Sequence, residues 1–288
     1  MNAWLLAARP KTLAAAVTSV LVGTVLACFH SKVNWPPFAF ALLGAVFIQI
    51  GTNYVNDALD FKKGADTHAR LGPLRVTQAG LLDADAVLRG AYVCFGLAAL
   101  CGIPLIVRGG WPIAIVGIAS ILAAYAYTGG PYPLAYHGLG ELFVMIFFGF
   151  TAVCGSFYLQ RLALDPTAWI GGLAVGSLAV VILAINNLRD IENDRASNKR
   201  TLPARFGARF ARFEIVLFAL APFVCVGVIA YLRRSTLLLI PLLALIPAIA
   251  LLARVSRSEG ASLNRCLALA GALEWIFGIL YVIGAALG

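Results

Sequence analysis

Charge is scarce in this sequence. Only 12% of its 288 residues are Asp, Glu, Lys or Arg, against roughly a quarter in a soluble domain. Hydrophobic residues make up 61%, and the mean hydropathy is +0.90. This excludes a water-soluble globular chain. No polar stretch is long enough to bury a core of its own, which excludes a separate soluble domain. Histidine is nearly missing: there are three, scattered along the chain. The six cysteines (28, 94, 101, 154, 225 and 266) form no CxxC pair. A zinc site and a disulfide framework are therefore not expected. Most of the cysteines lie in apolar runs, where Cys behaves as a small hydrophobe. The run "VLAC" ending at Cys28 faintly resembles a lipoprotein cleavage site. The apolar run before it is long for a signal peptide and many more follow, so it reads as part of a first span.

Long apolar runs are what the chain does have. Runs near 18–20 residues recur, each long enough to cross a bilayer core of about 30 Å. Nine candidate spans result: 12–29, 38–56, 86–107, 111–128, 139–160, 168–188, 210–232, 235–253 and 264–287. The expectation is an all-α integral membrane protein, one domain over 1–288, with nine transmembrane helices in a bundle. Seventeen of the 22 basic residues then fall on the side of the N-terminus. Only Lys32, Arg108, Arg161, Arg233 and Arg234 fall on the other. The positive-inside rule makes the N-terminal side cytoplasmic and puts the C-terminus outside. Trp35, Trp111 and Trp169 then sit near the outer interface. The net charge of +9 thus points to loops at anionic lipid headgroups, not to nucleic acid.

Six of the thirteen acids crowd into two windows. "NDALDFKKGAD" (56–66) holds Asp57, Asp60 and Asp66. "NNLRDIENDRASNKRT" (186–201) holds Asp190, Glu192 and Asp194. Both windows end even-numbered spans, two and six, on the cytoplasmic side. Asn56 and Asp60 are four apart, as are Asn186, Asp190 and Asp194, so each set predicts a stripe along one helix face. NxxxD occurs in both windows, 130 residues apart. That suggests a duplicated four-helix unit, and repeat-built membrane proteins often place their site between the repeats. Crowded carboxylates repel unless they pair or bind a cation. An all-oxygen set without Cys or His favours a hard cation, Mg²⁺ or Ca²⁺, and Mg²⁺ takes substrate phosphates as remaining ligands. Lys62, Lys63, Arg70 and Arg75 crowd the first window; Arg195, Lys199 and Arg200 crowd the second. Acid, base and hard cation together read as a diphosphate site. Solvated loop charges that end helices explain one such window as well as a site does. Two windows with one side, one period and one asparagine argue for the site.

At these residues the chain resembles the intramembrane aromatic prenyltransferases, the UbiA superfamily. The likeness rests on "ARPKTL" (8–13), "NDALDFKKGAD", "RLGPLRVTQAG" (70–80), "YTGGPYPLAYHGLGELFV" (127–144) and "NNLRDIENDRASNKRTL" (186–202). Within the family these are most similar to the branch that prenylates 1,4-dihydroxy-2-naphthoate in menaquinone synthesis. The 4-hydroxybenzoate branch has a denser Asp/Arg first motif, which this chain does not match. Two other readings stay open: a prenyltransferase for another aromatic acceptor such as 4-hydroxybenzoate, and, in a different class, a cation-coupled transporter.

The resemblance implies a bacterial inner-membrane enzyme with its active site toward the cytoplasm. It implies transfer from polyprenyl diphosphate to the naphthoate, with loss of CO₂ and diphosphate, giving demethylmenaquinol. Two Mg²⁺ ions are implied, with Mn²⁺ able to substitute. Asn56, Asp60, Asp66, Asp190 and Asp194 are the metal candidates, and Asp60, Asp190, Asp194 and Lys199 the catalytic ones. Arg9, Lys62, Arg70, Arg75, Lys199 and Arg200 are candidates for the diphosphate, although positive-inside bias alone explains about half of the basic residues. Lys11 ends the first span on the same side. Asp57 is either a second layer behind the metal or a helix-end charge. Asn53 and Asn187 either face the acceptor or join helices. Tyr127, Tyr132 and Tyr136 either wall the acceptor or form an interfacial belt. Glu141 opens span five. Glu274 sits mid-span nine without an assigned role.

Overall fold

The computed structural model describes residues 2–64 and 71–288. Asp66 and Arg70 lie outside the described residues. Among the described residues every regular element is helical. The helices are α1 (Ala3–Ala27), α2 (Trp35–Lys62), α3 (Ala84–Gly109), α4 (Trp111–Ala126), α5 (Gly140–Arg161), α6 (Pro166–Arg189), α7 (Leu202–Arg233), α8 (Thr236–Val255) and α9 (Gly260–Leu287). Eight are long and apolar enough to cross a membrane. The exception is α4, whose 16 residues span only about 24 Å at 1.5 Å per residue. The expected nine spans are thus eight full-length helices and one short apolar one.

Proline and carboxylate chemistry starts several of these helices. Pro sits in the first turn of α2, α4, α6 and α7, where its missing N–H costs nothing. Asp83 and Asp165 cap α3 and α6 by accepting backbone N–H groups of the first turn. Breaks are equally local. Arg9, at φ +50 and followed by Pro10, interrupts α1. Gly207, at φ +83, kinks α7. The expected start of the first span at residue 12 therefore marks its long segment, Leu13–Ala27, with a short turn of helix, Ala3–Ala8, before it.

α6 is the hub: 72% of its apolar window is buried, against 28% for α2, α3 and α8. It packs on α7, α5, α9 and α1. Contact with α5 is made through backbone. A Cβ on Gly149 would lie 2.6 Å from the Gly172 carbonyl oxygen, and one on Gly176 would lie 2.9 Å from Gly149 Cα. Small residues allow this approach where apolar burial alone gives helices no reason to associate. Along the same stretch α5 widens into a π-helix, Met145–Cys154. The two acid-bearing helices behave alike: α2 packs most extensively on α3, and α6 on α7.

Candidate active site

A cavity of ≈ 630 Å³ runs into the bundle from the end where α2 and α6 terminate. Its body is apolar: Ala41, Ala45 and Ile48 from α2, Leu105 from α3, Ile113 and Ile121 from α4, Phe143 and Phe147 from α5. Its head is polar and carries Arg9, Lys11, Asn53, Asn56, Asp60, Arg75, Tyr127, Glu141, Asn186, Asn187, Arg189 and Lys199.

The first stripe forms because α2 continues unbroken through Lys62. Asn53, Asn56 and Asp60 then share the cavity face. Asp60 is buried and accepts a hydrogen bond from Arg75 Nη2 at 3.2 Å and from the Tyr136 hydroxyl at 2.9 Å. Asn56 Oδ1 accepts the Thr128 hydroxyl. Asn53 lines the cavity while its amide donates to Ala8 O at 2.8 Å and Thr12 Oγ1 at 3.0 Å, tying α2 to the break in α1. Asp57 points elsewhere. It accepts Val76 N–H (3.3 Å), Thr77 N–H (3.0 Å) and the Thr77 hydroxyl (2.6 Å). Asp57 thereby fastens the loop after α2 and sets Arg75 beside Asp60.

The second stripe is not the straight one its spacing predicts. α6 ends at Arg189, Asp190 leaves helical geometry (φ −99, ψ 12), and a short helix, Ile191–Ala196, follows. Arg189 grips Asp190, Nε to Oδ1 at 2.8 Å, and also donates to Asn186 and Asn264, each at 2.8 Å. Asp190 therefore borders a separate hollow with Ser258 and Glu259. Asp194 is buried and accepts the Thr201 hydroxyl at 3.0 Å. Burial pushes its carboxyl up to about 6; Lys199 and Thr201 pull the other way, and the charges of Asp190 and Asp60 add to the rise. Asp194 and Asp60, 134 residues apart, thus feel one another.

Tyr136 joins the two clusters. Lys63 Nζ lies 4.8 Å and Lys199 Nζ 5.3 Å from its ring centre, so two ammonium groups sit over one aromatic ring. Its carbonyl accepts Arg200 N–H at 2.9 Å. Gly138 makes that seam possible: it adopts φ +74, and a Cβ there would lie 2.8 Å from Arg200 O. Burial lowers the Lys63 ammonium, Asp60 opposes this, and Lys199 adds to it. Burial likewise pushes the Tyr127 phenol well up, with Glu141, Asp60 and Asp194 adding to it.

Several expectations need correction. Lys62 is exposed and pairs with Asp85 at the start of α3, away from the cavity. Its neighbour Lys63, 100° further round the helix, is exposed too but turns the other way, donating to the Thr128 carbonyl and lying over the Tyr136 ring. Tyr132 is 57% exposed and stacks on His137, ring centres 3.5 Å apart. The Arg200 side chain is exposed, and the residue meets Tyr136 through its backbone N–H. Asn187 lines the cavity but gives its amide to Glu141 Oε1 at 2.8 Å. Arg189 and Thr201 escaped the sequence reading, which names Lys63 only among the basic residues crowding the first window. Only adjacency to the acids marked them, and adjacency does not tell direction.

Among the described residues no three His, Cys, Asp or Glu side chains gather into a ready-made metal cluster. The oxygen donors Asn56, Asp60 and Asp194 nevertheless suit magnesium. That ion commonly takes one or two carboxylates and completes its shell with water and substrate phosphate.

A membrane bundle with acids and basic groups at the mouth of an apolar cavity has the chemistry to accept a molecule with an anionic head and an apolar tail. The chain belongs to the UbiA prenyltransferase family, whose pattern matches residues 16–277. It is a transferase of prenyl groups and a multi-pass integral membrane protein. It is 38% identical over 232 residues to the 1,4-dihydroxy-2-naphthoate octaprenyltransferase of Escherichia coli (strain K12), covering 78% of this chain and 75% of that one. Among solved structures it resembles the apo UbiA homolog of Aeropyrum pernix K1, with TM-score 0.75, 14% identity and 96% and 98% of the two chains covered. The UbiA homolog of Archaeoglobus fulgidus bound to DMAPP and Mg²⁺ gives TM-score 0.68 at 14% identity, with 97% and 98% covered. At such identity the likeness to these structures is one of fold.

Proposed function

We propose that this protein transfers a polyprenyl group from polyprenyl diphosphate to 1,4-dihydroxy-2-naphthoate, releasing diphosphate and CO₂ and giving demethylmenaquinol. One observation carries this reading. Asp60 and Lys199, from the two halves of the chain, line one polar head that opens onto an apolar cavity, and Tyr136, which donates to Asp60, lies beneath the ammonium groups of both Lys63 and Lys199. A prenyl diphosphate has the same two-part chemistry, an anionic head on a hydrocarbon tail. The E. coli relative, which carries the naphthoate activity in its name, supports the choice of acceptor. A transporter pathway would place its acids near mid-bilayer, whereas Asp60 and Asp194 lie at helix ends among cations.

Asn56, Asp60, Asp190 and Asp194, with Asp66, are the residues that would hold magnesium, two ions with Mn²⁺ able to substitute. Bound there, the metal would offset charge growing on the departing diphosphate. Lys63, Lys199, Arg9 and Arg75 bind and orient the diphosphate oxygens. The apolar body takes the tail and keeps water from the allylic carbon. Asp190 reaches this work only if Arg189 yields it, so the two form an exchangeable pair. The site faces the cytoplasm of a bacterial inner membrane.

Purified protein with Mg²⁺, prenyl diphosphates of graded length and either dihydroxynaphthoate or 4-hydroxybenzoate tests the reading. The expected product from the naphthoate has the mass of acceptor plus prenyl group, less diphosphate and CO₂. Product that keeps the carboxyl, or product from hydroxybenzoate alone, would refute the acceptor. No prenylated product from either would refute the activity.

A further inference from the structure

Glu141 is a carboxyl at the cavity head that the diphosphate reading leaves unused. It opens α5, is 6% exposed and lines the cavity. Its Oε1 accepts a hydrogen bond from Asn187 Nδ2 at 2.8 Å. Its Oε2 is buried and has no hydrogen-bond partner among the described residues. Leaving a buried polar atom unmatched is costly, and such atoms call for an explanation such as a ligand or a catalytic role. Asn187, itself 6% exposed, decides which oxygen stays open. This carboxyl belongs to the same polar head as Asp60, Arg75, Tyr127 and Lys199, all of which line the cavity. The Arg and Lys side chains nearby are donors only. They suit an anion and offer nothing to accept a hydroxyl proton.

We propose that Glu141 is the catalytic base for the aromatic acceptor, with Asn187 as its positioning residue, an inference that rests on the prenyl-transfer reading above. Oε2 takes the proton of a ring hydroxyl as a ring carbon attacks the allylic carbon. The allylic C–O bond breaks, and its electron pair leaves with the diphosphate. A ring π pair forms the new C–C bond, and the hydroxyl oxygen becomes a ring ketone. When the carboxylate departs as CO₂, its C–C pair restores the aromatic ring. Glu141 returns the proton to the ring oxygen. Nothing is oxidised or reduced. The acceptor class follows: an aromatic ring with a hydroxyl conjugated to the attacked carbon.

The test is Glu141→Gln in the full-length protein, which keeps the side chain's size and an oxygen for Asn187 but cannot take a proton. Turnover should fall by about 10²–10⁴-fold, the usual share of a general base. KM for prenyl diphosphate should stay within about twofold, because uniform binding is untouched. An acceptor fluorinated on the ring, whose hydroxyl ionises more readily, should recover at least about tenfold of the loss, as Brønsted behaviour requires. A merely structural defect would not distinguish the two acceptors. If Glu141→Gln does not yield folded protein, Asn187→Ala carries the same acceptor comparison with a smaller loss. Turnover of Glu141→Gln within about threefold of wild type, or an equal loss with both acceptors, would overturn the base while wild-type product keeps the prenyl-transfer reading. Absence of product in wild type would remove both.

Discussion

Replacing Asp57 by alanine should release a loop rather than unfold the protein. The Asp57 carboxylate holds two backbone N–H groups and one hydroxyl, at 3.3, 3.0 and 2.6 Å from Val76 and Thr77. Hydrogen bonds to a charged group contribute about 1.5–3 kcal/mol each. Three on one carboxylate are not additive, so about 4 kcal/mol is a fair figure for the set. Each 1.4 kcal/mol is tenfold in an equilibrium, so opening of the loop should become about 10³ times more frequent. Val76 and Thr77 are buried, and their amides would exchange only through that opening. Hydrogen–deuterium exchange of the peptide spanning 71–82, read by mass spectrometry in detergent, should accelerate by about that factor. Peptides from α3 should not change. Arg75 would leave Asp60, and prenyl transfer should fall by roughly 10²-fold as the head loses one cation and its shape. Asp57→Asn, which keeps one acceptor oxygen, should give an intermediate exchange rate. Unchanged exchange at Val76 and Thr77 would refute the account of Asp57 as the fastener.

Asp60→Ala and Asp194→Ala should each lower prenyl transfer by orders of magnitude, and the double variant should be little worse, since residues acting as one unit are non-additive; multiplied losses would separate the two clusters. EDTA should abolish turnover and Mg²⁺ restore it. Because burial holds the Asp194 carboxyl at about 6, a proton competes with metal there. Mg²⁺ affinity, measured by titration calorimetry, should therefore weaken as pH falls below about 6, whereas an ordinary Asp would hold out to about 4. A flat affinity from pH 7 to 5 would exclude Asp194 as a ligand. Gly138→Ala should cost about 1–2 kcal/mol for its left-handed backbone alone. Its Cβ would also meet Arg200 O at 2.8 Å, so both melting temperature and activity should drop; wild-type values would show that the seam yields freely.

What could be read from the sequence was local. Helices follow from apolar runs and from Pro and Asp at their starts, because the backbone in lipid must satisfy its own hydrogen bonds. The first stripe was legible because Asn56 and Asp60 stand on a helix that continues past both, so four residues return the chain to the same face. The second was legible only in part. Asp190 and Asp194 share that spacing, but the helix ends between Asn186 and Asp194, and each acid takes a partner of its own.

Direction was the property that the chain alone could not state. Lys62 and Lys63 are adjacent and alike, yet one meets Asp85 and the other Tyr136, because α3 lies on one side of α2 and the loop before α5 on the other. Asp57 reads equally as a second layer behind the metal or a helix-end charge until Thr77, twenty residues on, claims it. Glu141 and Asn187 are 46 residues apart and become one unit only where α5 meets α6. Composition and period thus determined a helical membrane bundle with two acidic ends, since those depend on repeat geometry along one chain. Tertiary packing decided which acids face the cavity, which lysine lies over Tyr136 and which carboxyl is left with an open oxygen, since those depend on surfaces that distant segments bring to each side chain.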